Sequence, residues 1–269
     1  MTADRTAPGR RALITGATAG IGESFARQLS AEGWDLILVA RDATRLDATA
    51  AELTGRYGNR VEVIPADLST DDGCGRVERR LATGDPVHLL VNNAGLSLSR
   101  PFLRSTVADE TQLLRLNVHA VLRLTLAALG PMTERGDGAV INVSSVAGFG
   151  PVMPGSTYPA SKAWVTSFSE SIGQSTRASG VHVMALCPGY TRTGYHERTG
   201  IDMSAMPRWI WLRADDVVAE ALRDLRKGKT VSVPDWKYKL AVASLRHVPR
   251  RLLRGAFRDR RGQLDPAGE

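Results

Sequence analysis

A short apolar run, Ala12 to Thr15 (ALIT), stops at a glycine-rich turn, TGATAGIG, Thr15 to Gly22. A helical pattern follows at once, with Phe25, Ala26 and Leu29 on one face. Strand, glycine turn and helix in that order form the context of a dinucleotide-binding fingerprint. Gly16 permits the tight turn. Gly20 and Gly22 let backbone and pyrophosphate approach at a helix N-terminus, where orphan N–H groups attract anions. The spacing is G-x-x-x-G-x-G, not G-x-G-x-x-G, so on this stretch alone an ordinary glycine loop stays open.

The same alternation runs on along the chain. Strands are expected at 35–40, 61–65, 87–91, 138–144, from 181, and at 230–234. Helical patterns separate them at 44–57, 70–83, 106–131, 156–179 and 215–227. Strands alternating with helices predict an α/β fold, a doubly wound parallel sheet of about seven strands with helices on both faces. No repeat, low-complexity segment or interdomain linker interrupts the pattern. The expected organisation is a polar, disordered stretch over 1–10, one catalytic domain over 11–235 and an appendage over 236–269.

Composition removes several classes of function. Of 269 residues, 43% are hydrophobic and 23% charged, as in soluble globular proteins. No run of 18 or more apolar residues occurs, and the first residues, MTADRTAPGRR, lack the apolar centre of a secretory signal. Cys74 and Cys187 are too few for a disulfide framework, which points to the cytoplasm. The two cysteines and five histidines show no ligand spacing, so no metal site is expected. Between Lys237 and Arg261 nine basic residues face one acid, Asp259. The rest of the chain holds 26 basic and 27 acidic residues. A near-neutral body with a basic end argues against a nucleic-acid-binding core.

The chemistry concentrates in TYPASKAW, Thr157 to Trp164. Tyr158 and Lys162 stand four apart, on one face of a helix and one turn apart. A phenol has an ordinary pKa of about 10, and a neighbouring ammonium favours its phenolate. Two further sites bear on cofactor choice. The second strand ends at Ala40 with Arg41 directly after it, where an acid would suit the ribose hydroxyl of NAD and a base the 2′-phosphate of NADP. Asp42 lies one step further. Asp67 ends the third strand, placed to approach an adenine.

Taken together, TGATAGIG (15–22), NNAG (92–95), Asn117, Ser145, YPASK (158–162) and PGYTRT (188–193) resemble the short-chain dehydrogenase/reductase family, in family order, over about residues 11–234. The resemblance implies roles. Tyr158 is the acid–base. Lys162 is the partner that lowers its pKa and holds the nicotinamide ribose. Ser145, thirteen before Tyr158, bonds the substrate carbonyl, with Ser144 as the alternative. The Asn117 side chain holds a water in a proton relay to Lys162. The implied NADPH/NADP contacts are Gly16, Thr18, Gly20, Ile21, Gly22, Arg41, Asp67, Leu68, Asn93, Ala94, Gly95, Pro188, Gly189, Thr191 and Thr193, besides Tyr158 and Lys162. Thr191 stands where the family often carries a branched apolar residue of nearly the same shape.

Residues 190–214 fall where this family keeps its substrate lid. Tyr195, Met203, Met206, Trp209 and Trp211 suit a lipophilic carbonyl substrate, or pack on the lid itself. In 236–261, Leu240, Leu245, Val248, Leu252, Leu253 and Phe257 interleave with basic residues, although Pro249 interrupts a helix. That segment can lie peripherally on an anionic membrane, cover the active-site rim, or join subunits. The family commonly pairs subunits through its two long helices, so a homodimer or homotetramer is expected. The expected activity is NADPH-dependent reduction of a lipophilic ketone, such as a ketoacyl chain, to the alcohol. The alternatives are an NAD-dependent alcohol or hydroxysteroid dehydrogenase working oxidatively, and a non-catalytic cofactor-sensing scaffold.

Overall fold

The computed structural model describes residues 9–98, 100–150, 156–193 and 207–247. Its elements are β1 (Arg11–Thr15), α1 (Gly20–Ala31), β2 (Asp35–Ala40), α2 (Ala43–Tyr57), β3 (Val61–Pro65), α3 (Asp71–Ala82), β4 (Leu89–Asn92), α4 (Val107–Leu114), α5 (Ala120–Arg135), β5 (Gly138–Val143), α6 (Tyr158–Thr176), β6 (Val181–Leu186), β7 (Thr191–Arg192), β8 (Leu212–Arg213), α7 (Ala214–Arg226), β9 (Val231–Ser232) and α8 (Trp236–His247). Seven strands pair in parallel in the order β3-β2-β1-β4-β5-β6-β9. The doubly wound sheet expected from the alternation is present.

Strand alternation sorts the core into two layers. Ala12, Ile14, Leu36, Leu38, Val91 and Ile141 face α1, α2 and α7, where Phe25, Leu29, Leu46 and Val218 meet them. Leu13, Ile37, Val39, Leu90, Val140 and Val183 face α3 and α5, where Val77, Leu124 and Met132 wait. The chain therefore turns away from β1 in opposite directions to β2 and to β4. That reversal opens a crevice beyond the C-terminal strand ends, where ligands of such sheets bind.

Element ends shift by a few residues from expectation, and two differences bear on the site. The fourth strand includes Asn92, because it pairs with Asn142 of β5 in the ladder and donates to its Oδ1 at 2.8 Å. The single helix expected over 106–131 is divided by a π-helical turn, Arg115–His119. The whole stretch Val107–Arg135 is long and apolar enough, by length and composition, to cross a membrane. Here it lies against the sheet, with Leu113, Leu124, Ala128 and Met132 buried.

The segment expected as an appendage from 236 is, in its described part, a helix docked on the domain. Val242 is buried, and Tyr238 packs against the first core layer. Lys237 pairs with Asp235 at 3.3 Å and Lys239 with Glu220 at 2.5 Å, so these two charges are engaged. Residues 1–8 and 248–269, and most of the expected lid with Tyr195, Met203 and Met206, lie outside the described residues.

Candidate active site

The glycine turn leaves β1 where Gly16 N–H donates to Val39 O at 2.8 Å. Gly16 has φ +64°, in the left-handed region that glycine enters without a Cβ penalty. A Cβ on Gly22 would overlap Gly16 O, so the turn closes only with glycine there. Helix α1 has no side-chain cap at its N-cap, Ala19. Its first N–H groups are thus available to an anion. A tight turn, an uncapped helix start and a cradle that a Cβ would fill together fit a dinucleotide pyrophosphate.

Asn93, expected as a cofactor contact, uses its side chain to brace this turn, donating to Thr15 O at 2.9 Å and Gly16 O at 3.2 Å. Thr15 Oγ1 accepts the N–H groups of Asn93 and Ala94 in return. The carboxylate of Asp67, expected near an adenine, is engaged locally by Ser69, N–H and hydroxyl, at 2.9 and 2.7 Å. Arg41 is exposed at the end of β2. The neighbouring carboxylate of Asp42 caps α2, accepting Arg45 N–H at 3.1 Å, and so is spent on the helix.

At the end of β5 the two serines separate. Ser144 is buried and its hydroxyl donates to Lys162 O at 2.7 Å, with Thr166 Oγ1 also at 2.7 Å. Ser145 is half-buried; its oxygen caps the following 3-10 turn through Ala147 N–H at 3.1 Å, and it stands near enough to Tyr158 to favour the phenolate. The serine thirteen before the tyrosine is therefore the one that meets it. Helix α6 begins at Tyr158, with Pro159 preset for the first turn.

Lys162 lies one turn along, 5% exposed, with Nζ 5.6 Å from the centre of the Tyr158 ring. The ammonium donates to Val143 O at 2.9 Å. Burial brings its pKa down to about 8. Burial also pushes Tyr158 up to about 12, against the pull of Ser145. Burial, rather than the Lys162 ammonium, sets the direction for this phenol in the folded chain.

Asn117 is fully buried in the π-turn. Its Oδ1 accepts Leu96 N–H at 2.9 Å, and its Nδ2 donates to Leu96 O at 2.8 Å and Ser161 Oγ at 3.2 Å. The amide expected to hold a water is thus committed to the loop after β4. Asn117 Oδ1 and Lys162 Nζ both come within 3.4 Å of where a Gly95 Cβ would stand. The Ala94 backbone comes equally near to where a Gly16 Cβ would stand. Asn117, Lys162 and Tyr158 are in this way contiguous with the glycine turn.

The segment 188–193 spans the crevice. Pro188 O accepts Val146 N–H at 3.1 Å beside Ser145. At the far end Thr193 Cγ2 lies 2.6 Å from where a Gly20 Cβ would stand. Thr191 is buried, its hydroxyl turned back to Gly189 O at 3.0 Å. Thr18 and Leu68 lie on loops around the crevice and Ile21 in the first turn of α1, with Leu68 buried in the turn before α3. Among the described residues no group of three or more His, Cys, Asp or Glu side chains comes together.

Sequence reasoning did not single out Asn92, Tyr190 or Tyr238. Asn92 joins Asn142, Thr125 and Ser169 in a buried network that ties β4 and β5 to α5 and α6. Tyr190 lies close enough to Tyr158 to influence its ionisation. Tyr238 bonds Tyr190 and Ile210. Asn92, inside NNAG, and Tyr190, inside PGYTRT, lay within motifs that the sequence offered.

The short chain dehydrogenase family matches residues 10–203. Nodulation protein G of Rhizobium sp. (strain N33) is 38% identical over 192 residues, 71% of this chain and 76% of that protein. The very-long-chain 3-oxoacyl-CoA reductase of Anas platyrhynchos is 35% identical over 69% of this chain, a match spanning 61% of the relative's own length. Among solved structures, a short-chain dehydrogenase from Sphingobium yanoikuyae in complex with NADPH superposes with a TM-score of 0.81 at 35% identity, covering 95% of each chain. With the sheet order, the glycine turn and the Ser145–Tyr158–Lys162 cluster, these matches establish that the chain is a member of the short-chain dehydrogenase/reductase family of oxidoreductases.

Proposed function

We propose that the protein reduces a lipophilic ketone to an alcohol with NADPH. The observation that carries this reading is the cluster at the edge of the crevice, with Ser145 beside Tyr158 and Lys162 Nζ 5.6 Å from the centre of the Tyr158 ring. A protonated phenol suits the acid that reduction of a carbonyl needs.

The glycine turn, the start of α1 and Gly189–Thr193 would hold the dinucleotide, and Arg41 its 2′-phosphate. When bound, NADPH supplies the hydride. Ser145 and Tyr158 hydrogen-bond the carbonyl oxygen and stabilise charge developing there. Tyr158 gives its hydroxyl proton to that oxygen. Lys162, fixed on Val143 O, stabilises the phenolate that is left. Asn117 acts by positioning, because it clamps the Gly95–Leu96 loop beside Lys162. The engagement of Asp42 as a helix cap supports NADP over NAD.

A ketoacyl-like substrate is supported by the likeness to 3-oxoacyl-CoA reductases. The test is an NADPH-oxidation screen over β-ketoacyl thioesters, ketosteroids and small diketones. Consumption of NADH in preference to NADPH would favour the oxidative NAD-dependent alternative. No turnover of any ketone would favour the non-catalytic scaffold.

Peripheral membrane contact through 236–261 is a second proposal, supported by Trp236 and Leu240, one turn apart on α8 and 70% and 61% exposed. Sedimentation with anionic liposomes tests it, with and without residues 248–269. Equal binding of the two forms would remove the basic end from the contact. A homodimer or homotetramer is proposed from the family pattern, and light scattering tests it.

A further inference from the structure

Tyr238 stands on α8, outside every motif that carried the family resemblance. Its ring lies flush on Gly189, where a Cβ would overlap ring atoms Cζ, Cε1 and Cε2. Its hydroxyl accepts Tyr190 N–H at 3.1 Å and donates to Ile210 O at 2.7 Å. One phenol thus joins two backbone segments twenty positions apart. The seam continues through Leu212 N–H on Tyr190 O at 2.8 Å and the β7–β8 pairing.

The helix is itself held firmly. Asp235 takes a left-handed backbone, φ 72°, as the chain turns into α8. Its N–H donates to Glu220 Oε2 at 3.0 Å, and Lys239 pairs with the same carboxylate. Lys237 Nζ donates to Trp209 O at 2.7 Å. Tyr238 is therefore delivered from a rigid base, which is what precise placement of a loop requires. The segment it grips starts beside Ser145 and ends on the glycine turn.

We propose that Tyr238 is a positioning residue: its ring and hydroxyl set how Gly189–Thr191 lies along the crevice, and so orient the nicotinamide end of a bound dinucleotide. The inference rests on the dinucleotide reading above. It also gives glycine at 189 a steric reason, the approach of an aromatic ring from another element.

The test compares two ligands by protein-fluorescence titration: NADP, and adenosine 2′,5′-bisphosphate, which lacks the nicotinamide half. Tyr238→Phe keeps the ring and removes both hydrogen bonds. NADP binding is expected to weaken about tenfold, with the bisphosphate unchanged and the fold intact by circular dichroism. Gly189→Ala drives a methyl into the ring and is expected to weaken NADP at least as much, again sparing the bisphosphate. NADP binding unchanged in either variant, or an equal loss for both ligands, would overturn the proposal. Wild-type protein that binds neither ligand would overturn the dinucleotide reading and this inference with it. Wild-type protein that binds both, beside an unaffected Tyr238→Phe, would overturn the inference alone.

Discussion

Lys162 Nζ donates to the carbonyl oxygen of Val143 at 2.9 Å, so the ammonium is anchored to the end of β5 and reaches Tyr158 only across the face of its ring. This makes the helix residue and the strand end a single unit. Catalytic geometry in the crevice then depends on how α6 packs on the sheet as much as on the Tyr–Lys spacing.

The buried ammonium gives a pH dependence. Lys162 titrates near 8 in the folded chain, against an ordinary 10.5. Between those values the unfolded chain binds the extra proton, so this group adds stability as pH rises through that window. Lys162→Met is expected to flatten the rise, read from urea unfolding at pH 7.5 and 9.5. Ketone reduction is expected to fall as pH passes about 8. Lys162→Arg, charged throughout, is expected to lose that limb; a limb kept in place would assign it to another group.

Tyr158→Phe removes the hydroxyl and keeps the ring. Turnover is expected to drop about 10³-fold, with NADPH affinity changed by no more than about twofold. Steady-state kinetics and fluorescence titration measure the two. Turnover near that of the wild type would exclude Tyr158 from proton transfer.

Asn117 and Ser145 are expected to separate stability from catalysis. Asn117→Ala strands the half-buried N–H and carbonyl of Leu96 and is expected to cost about 1–3 kcal/mol in urea unfolding. Ser145→Ala loses a cap on a short turn, worth about 0.5–1 kcal/mol. Its activity is expected to fall about 10²-fold through loss of a donor at the carbonyl oxygen. The reverse ranking would mean that the two roles are exchanged.

Arg41→Ala is expected to weaken NADPH about tenfold or more and to leave NADH alone, because a charged hydrogen bond to phosphate is lost. Asp42→Ala is expected to lower stability by about 1 kcal/mol through the lost α2 cap. Equal effects of Arg41→Ala on the two cofactors would place the 2′-phosphate elsewhere.

The sequence by itself determined the layered sheet, the glycine turn and the proximity of Tyr158 to Lys162. Each of these follows from local spacing: alternation in strands, glycines at a helix start, four residues along one helix face. Only the tertiary structure separates the surroundings of Ser144 and Ser145, because the α6 backbone takes up the Ser144 hydroxyl. It also decided the ionisation of the phenol, since burial depends on neighbours from distant elements. The same holds for Asn117, whose partners lie 21 and 44 residues away, and for Tyr238, which meets Tyr190 across 48. Contacts of that range leave no periodicity in a chain; they arise when elements pack, and packing is where this site acquires its geometry.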